Sequence, residues 1–284
     1  MRFIPGLLLL ACLVAVPACG EEPAPGATLE NAIDALEKQD GFHIELTAEM
    51  PNESGMDPFY YAWKGWMHNP DVSYFKMEGG PGTEVYSKGR TAVAREGRRK
   101  NWRVEDAGDD SKRVDPLKHL REFKKHTTGA TFLSEAIVGE AQKNGERVRG
   151  VVVSETPETV VMRLAQGDDV TFPRADVTLS ACRVVESAPP ADSVRGLLDA
   201  MSIDEKDIVW ERSKLSLHVW VGKTDGLIRK ALASLDAEVN TPGAKPGTLA
   251  DRIKPKATFE ITDYNKDVGL DRIPADVRAL LKLD

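Results

Sequence analysis

The chain has 284 residues, of which 41% are hydrophobic, and this is enough apolar material to bury a core, so a wholly disordered chain is excluded. Lys and Arg number 38 against 45 Asp and Glu, and the net charge of −7 argues against a dedicated nucleic-acid-binding protein, which usually carries a basic face. Three cysteines are too few for a scaffold built on disulfides.

The N-terminal residues 1–18 have the features of a signal peptide. Arg2 supplies a positive start, and residues 7–16 form an apolar run about half as long as the ~20 residues of a membrane-spanning helix. The run leads into Val-Pro-Ala-Cys-Gly at residues 16–20, which resembles the lipobox of bacterial lipoproteins, although the proline is atypical. We therefore predict lipid attachment at Cys19, with an ordinary secreted protein cut nearby as the alternative.

Residues 19–27 are predicted to be the lipidated cysteine and a polar, Pro/Gly-rich tether. Cys12 offers a second lipobox match, but it would cut the apolar run short. Acyl chains on Cys19 would hold the protein on a membrane, and Gly20 resembles the enterobacterial sorting residue for the outer membrane. We therefore expect a protein of the cell envelope that faces the periplasm or the surface. Cys182 would remain without a disulfide partner, and we interpret it as a small buried residue.

The first part of the mature chain changes from a helical period to a period of two. Thr28 is a predicted N-cap. Leu29, Ile33 and Leu36 share one helical face, and the helix is predicted to end at Gly41. Strands, rich in alternating apolar residues, are predicted at Phe42–Met50, Phe59–His68, Val72–Met77, Glu84–Ser87, Thr91–Arg95 and Lys100–Val104.

The remainder of the chain is predicted to add three helices and more strands. The helices are expected at residues 115–126, at residues 191–201 and from Pro274 onward. Strands are predicted at Ser134–Val138, Glu146–Val153, Thr159–Ala165, Asp169–Pro173, Val177–Val185, Leu215–Val221, Leu227–Val239 and Ala257–Tyr264. We predict one α+β domain over residues 28–284: a single curved antiparallel sheet, a half-barrel of about ten strands, with helices packed on its concave face.

Four stretches follow one another in an order that is typical of a known fold. They are Thr28–Met50, Val85–Trp102, Leu215–Lys230 and Phe259–Pro274. Together they resemble the LolA-like fold of bacterial lipoprotein carriers and receptors and of the mycobacterial lipid-binding lipoproteins. The resemblance implies an apolar interior that binds a lipid acyl chain, such as palmitate, or a lipoprotein. Residues 151–178 have no counterpart in that pattern, and we predict a β insertion of unknown use there.

The apolar residues that alternate along these strands would line such an interior. We expect the cavity wall to include Phe42, Ile44, Leu46, Trp63, Val85, Trp102, Leu215, Leu217, Val219, Phe259 and Ile261. The same alternation describes a packed sheet core without a cavity, and both interpretations stay open. Alternation also places Trp63 and Trp66 on opposite faces unless a bulge at Gly65 intervenes.

No pattern of catalytic or metal-binding residues stands out. The five histidines lack the spacing of metal ligands, and G-x-S-x-G, P-loop and H-E-x-x-H motifs are absent from the sequence. We therefore expect no enzyme, no metal and no cofactor. The basic cluster at residues 95–100 is either a charged hairpin turn or a patch for lipid headgroups or an anionic partner.

Two functional hypotheses remain. The first is a membrane-anchored lipoprotein that carries, receives or handles an acyl chain or a lipoprotein. The second is an envelope lipoprotein with a filled core, which holds a protein partner through residues 151–178 or through the turn at residues 95–103.

Overall fold

The computed structural model describes most of the chain from the end of the predicted tether onward. The described residues are 23–50, 59–78, 82–97, 101–105, 120–121, 123–164, 167–194, 208–239 and 252–283. The predicted signal peptide and Cys19 lie outside these ranges, as do half of the predicted helix 115–126 and residues 195–201 of the predicted helix 191–201.

The described chain consists mainly of β-strands. Two α-helices are described in full, α1 at Pro25–Glu37 and α2 at Ala275–Leu281, and residues 120–121 and 123–124 are also helical. The strands are β1 Gly41–Met50, β2 Phe59–His68, β3 Val72–Glu78, β4 Glu84–Lys88, β5 Thr91–Arg95, β6 Arg103–Glu105, β7 Thr131–Lys143, β8 Glu146–Glu155, β9 Thr159–Leu164, β10 Asp169–Pro173, β11 Thr178–Ser187, β12 Ile208–Gly222, β13 Ile228–Val239, β14 Arg252–Ile253 and β15 Lys256–Thr262.

All these strands belong to one open antiparallel sheet. Its order is β10-β9-β8-β7-β11-β12-β13-β15-β1-β2-β3-β4-β5-β6, with β14 paired to β13 beside this path. The predicted fold class is therefore confirmed, although the sheet has 15 strands and not about ten. Hairpins connect most neighbours, and the predicted turn between β7 and β8 is present, with Asn144 and Gly145 at φ of 54° and 83°.

The two faces of the sheet carry different sets of side chains. In register, Leu46 of β1 lies opposite Phe259 of β15, and Phe259 lies opposite Ala231 of β13. These side chains point to the face that α1 covers, which we name the α1 face. The alternate residues, such as Trp66 of β2, point to the opposite face.

Helix α1 begins earlier than the sequence predicted. Pro25 lies in its first turn and Ala24 is the N-cap, so the expected N-cap Thr28 is inside the helix and donates its hydroxyl to the Ala24 carbonyl. The reason is that proline fits the first helical turn, where its missing N–H costs nothing. The prediction for Thr28 was wrong, and Pro25 belongs to the helix and not to the tether.

Helix α2 packs on the opposite face and not beside α1. Val277 and Leu281 of α2 join a buried cluster with Trp66, Tyr86 and Val93. A ladder of aromatic rings spans this cluster, because Trp66, Tyr74 and Tyr86 occupy neighbouring positions on β2, β3 and β4. Helix α1 and the helical residues Leu120 and Phe123 therefore cover one face of the sheet, as expected, whereas the short helix α2 covers the other.

The predicted insertion at residues 151–178 covers the end of β8 and all of β9 and β10. These strands form one edge of the sheet and pack a separate small core. Val160, Met162 and Phe172 are its buried members. That this segment is an insertion stays a prediction.

Candidate ligand-binding site

The α1 face brings together most of the residues predicted to line an apolar interior. Seven of them belong to one buried cluster with α1, and none of the seven is more than 6% exposed: Phe42, Ile44, Leu46, Leu217, Val219, Phe259 and Ile261. They form rows across β12, β13, β15 and β1, because register neighbours on adjacent strands share a face. Leu215 is the eighth predicted residue in this cluster.

The other three predicted residues lie elsewhere on the sheet. Trp63 is partly buried beside this cluster, and it also contacts the small cluster of Val85 with Ala92 and Ala94. Trp102 is on the opposite face, where it packs edge-on against Tyr86 with ring centroids 5.3 Å apart. The structure therefore brings Trp63 and Val85 to the border of the α1 face and separates Trp102 from it.

A row of small side chains crosses the α1 face. Ala48 of β1 lies opposite Ala257 of β15, which lies opposite Ala233 of β13. All three are buried on the α1 face. A row of methyl groups leaves more room above the sheet than a row of leucines would, and this row lies next to the large side chain of Phe259.

Ion pairs hold α1 and the segment 120–127 side by side. Lys124 pairs with Asp34, and the Arg121 guanidinium lies 2.6 Å from Glu37. From the same segment, the buried Leu120 and Phe123 enter the α1-face cluster. The apolar layer is thus closed on the side away from the sheet by helical residues that the sequence predicted to lie there.

A cavity of about 570 Å³ opens where β11 ends beside β12, β13 and β15. We name it the lysine-rimmed cavity; its lining includes Ala188–Ala191, Ser213–Ser216, Ser234–Asp236, Lys254 and Lys256. Ala191, Leu215 and Leu235 of this lining are also members of the α1-face cluster. Its volume is within the range of about 300–1,000 Å³ that small-molecule sites occupy.

The charges around this cavity are mainly positive. Lys254 lies 3.8 Å from Asp236, and Lys256 lies 3.5 Å from Glu49. Lys214 has no ion pair within the part of the chain that the structure describes. No sequence pattern indicated this site, because its residues come from three strands and two connecting segments, and only the Pro189-Pro190 pair marks the bend that forms one wall.

A charged cluster links β8 to the end of β15. Asp263 accepts from Arg147 and lies 2.5 Å from the Lys266 ammonium, and His43 Nδ1 is 3.6 Å away. Burial opposes ionisation of Asp263, but the hydrogen bonds from Arg147 and Lys266 outweigh it and lower its pKa to about 2 from 3.8. Burial lowers the pKa of His43, although Asp263 opposes this.

The pH dependence of unfolding should report this cluster. Because the Asp263 pKa is lower in the folded state, its ionisation stabilises the fold above about pH 4, and that contribution is lost as the pH falls toward 2. We expect Asp263→Asn to lower stability at pH 6 and to flatten the dependence between pH 4 and 2, measured by urea unfolding. Asp176→Asn, on an exposed 3₁₀ turn, is the control. Equal pH profiles for native protein and Asp263→Asn would contradict the prediction.

The described residues offer little for covalent or metal chemistry. No group of three or more His, Cys, Asp or Glu side chains among them could hold a metal ion. Burial raises the pKa of the Cys182 thiol to about 11, so the reactive thiolate is scarce at neutral pH. No helix in the described ranges is both long and apolar enough to cross a membrane.

Comparison with known proteins identifies structural neighbours only. No protein-family model and no curated protein sequence matches the chain. Among solved structures, lipoprotein LppX of Mycobacterium tuberculosis is 12% identical with a TM-score of 0.44, over 88% of this chain and 100% of that one. LprF of Mycobacterium bovis is 10% identical with a TM-score of 0.40, over 89% and 96%.

A LolA superfamily protein of Nitrosomonas europaea is 12% identical with a TM-score of 0.31, over 90% of this chain and 99% of that one. The neighbours are therefore lipoproteins and LolA-like proteins, as the sequence resemblance predicted. At these identities and TM-scores the likeness concerns the fold, and it assigns no ligand or partner to this chain.

Proposed function

We propose that this protein is an envelope lipoprotein, anchored to a membrane through Cys19, that binds the acyl chain of a lipid or lipoprotein at the α1 face. The observation that carries the proposal is the lysine-rimmed cavity, which reaches the α1-face cluster at Ala191, Leu215 and Leu235. An apolar floor with cations at the mouth suits a ligand that has a hydrocarbon chain and an anionic head group.

Energetics explain why such a ligand needs an enclosed site. Moving a chain of sixteen carbons from a membrane into water costs about 12 kcal/mol at ~0.8 kcal/mol per CH₂. A protein that takes up the chain must therefore replace most of the lost apolar contact. The lysine-rimmed cavity offers Ala188, Leu215 and Leu235 as apolar lining for this purpose. A fixed anchor favours a receptor or local handler over a freely diffusing carrier.

The test is native mass spectrometry of a soluble form that begins at Glu21, which contains every described residue and lacks the lipid anchor. Expressed in a bacterial periplasm, it should carry a stoichiometric lipid that is released on denaturation. Ser234 lines the lysine-rimmed cavity, so Ser234→Trp should fill it and reduce palmitate uptake at least tenfold. Ser154→Trp, at an exposed position of β8, should leave uptake unchanged.

A second candidate is a protein-interaction module with a filled core. Phe132, Leu133 and Ile137 of β7 are exposed large apolar side chains, and this part of β7 pairs with β11 but not with β8. An open strand edge that carries apolar side chains can pair with a partner strand. A lipid-free mass, together with no uptake of added palmitate, would contradict the acyl-chain proposal and favour this module.

A further inference from the structure

A second cavity, of about 480 Å³, lies between β8 and the opposite face of β15, β1, β2 and β3. We name it the β8 cavity. Four strands separate β8 from β15 in the sheet order, so the sheet curls far enough to bring the two together. They meet through side chains and not through a backbone ladder: Arg149 donates to the carbonyls of Arg229, at 3.2 Å, and Ile261. The gap that these long side chains bridge is the cavity.

One part of the wall is aromatic and apolar. The rings of Trp66 and Tyr74 have centroids 6.1 Å apart, and Val148 completes this part of the lining. Burial raises the pKa of Tyr74 to about 12, so its hydroxyl stays protonated and uncharged at neutral pH. Such a surface suits a flat apolar group.

The carboxylates of the lining already have cationic partners. Glu45 lies 3.8 Å from the Lys64 ammonium, and Glu260 lies 3.2 Å from the Lys230 ammonium. Asp263 is paired with Arg147. The acids of the cavity therefore do not require a cation from outside.

Several nitrogen groups of the lining, in contrast, lack a partner. The Arg149 side chain is only 8% exposed and is ion-paired with Glu140 through a terminal nitrogen, but its buried Nε has no hydrogen-bond partner. The buried His43 Nδ1 likewise makes no hydrogen bond, although Asp263 is near. The exposed Lys76 has no ion pair in the ranges that the structure describes. A buried donor without an acceptor costs free energy, so the site gains when an acceptor enters.

We propose that the β8 cavity binds a small organic anion, with its flat apolar body against Trp66 and Tyr74 and its carboxylate near Lys76, Arg149 and His43. The site is separate from the acyl-chain site and does not depend on it, because no residue lines both the β8 cavity and the lysine-rimmed cavity. Cation-bearing side chains with unused donors favour the anion over a neutral molecule of the same shape.

The test compares three probes on the soluble form by isothermal titration calorimetry: 1-naphthoate, the uncharged 1-naphthamide, and acetate. Naphthoate should bind at least ten times more tightly than either control, because only it has both the ring and the charge. Lys76→Met should weaken naphthoate binding at least threefold and leave naphthamide unchanged. Lys38→Met, a matched exposed lysine outside the cavity lining, should have no effect.

A second measurement fixes the location. Burial lowers the pKa of His43, and the charges of Arg147 and Lys266 lower it further, whereas Asp263 raises it. A carboxylate bound beside it should raise the His43 pKa, which ¹H–¹⁵N NMR of the imidazole can follow. Equal affinities for naphthoate and naphthamide, an unmoved His43 resonance, or displacement of naphthoate by palmitate would each overturn the proposal. The last outcome would place the probe in the acyl-chain site.

Discussion

Replacing Phe259 by alanine is expected to lower the free energy of unfolding by about 3–5 kcal/mol. Phe259 is 1% exposed and lies at the centre of the α1 face, between Leu46 of β1 and Ala231 of β13. The alanine row beside it is too short to reach into the space that the ring would leave, so a cavity would remain. Urea unfolding, followed by circular dichroism, measures the change.

Phe132→Ala is the matched control for this substitution. Phe132 also lies on a strand of the sheet, but it is 38% exposed, and the Arg183 guanidinium lies 5.8 Å from the centre of its ring. We expect a loss of about 1 kcal/mol or less, because little buried volume is removed. Equal losses for the two variants would contradict the assignment of the α1 face as the main core.

The same unfolding experiment separates a filled core from a lipid-binding layer. A ligand that binds only the folded state raises the unfolding free energy with its concentration. Palmitate should therefore stabilise the native protein if the acyl-chain proposal holds. Ser234→Trp should show no such gain, because its side chain occupies the lysine-rimmed cavity.

Local alternation in the sequence is sufficient to predict most of the sheet. Each strand that it predicted corresponds to a strand of the structure, and Trp63 and Trp66 lie on opposite faces without a bulge at Gly65, as alternation requires. Gly65 itself is needed because a Cβ there would lie 1.9 Å from the Tyr74 carbonyl oxygen. Strand ends were less predictable. Strand β12 starts at Ile208, but the sequence predicted a start at Leu215, because residues 210–214 do not alternate between apolar and polar side chains.

The candidate sites were harder to predict than the strands. Eight predicted wall residues meet on the α1 face because strand neighbours share a face, which alternation alone can indicate. Trp102 lies elsewhere because it follows β5 outside any strand, where period two no longer fixes its side. Both cavities depend on how far the sheet curls and on long side chains such as Arg149 that bridge distant strands. No spacing in the sequence encodes those contacts.

Breaking the buried ion pair of Lys230 and Glu260 is the second change with a large expected effect. Both side chains are 9% exposed, and they lie 3.2 Å apart on neighbouring strands of the opposite face. Removing one partner leaves a charge without water or counter-ion, which costs about 3–5 kcal/mol. We therefore expect Lys230→Met to destabilise the fold by an amount of this order, measured by urea unfolding.

The two single variants should not destabilise the fold by the same amount. Without Lys230, the Glu260 carboxylate remains close to that of Glu45. Burial raises the pKa of Glu45, and Glu260 raises it further. Without Glu260, the Lys230 ammonium still lies 5.7 Å from the Trp220 ring, which offers a partial substitute for the lost carboxylate. We expect Lys230→Met to cost more than Glu260→Met for this reason.

The double variant tests whether stability depends on the ion pair itself or falls only because one buried charge is left without its partner. Two methionines would pack against each other, and Lys230→Met with Glu260→Met should lose less stability than Lys230→Met alone. Arg163→Met, which breaks the exposed pair with Asp169, should leave the unfolding free energy nearly unchanged. A double variant as unstable as the sum of the singles would show that the two charges act independently.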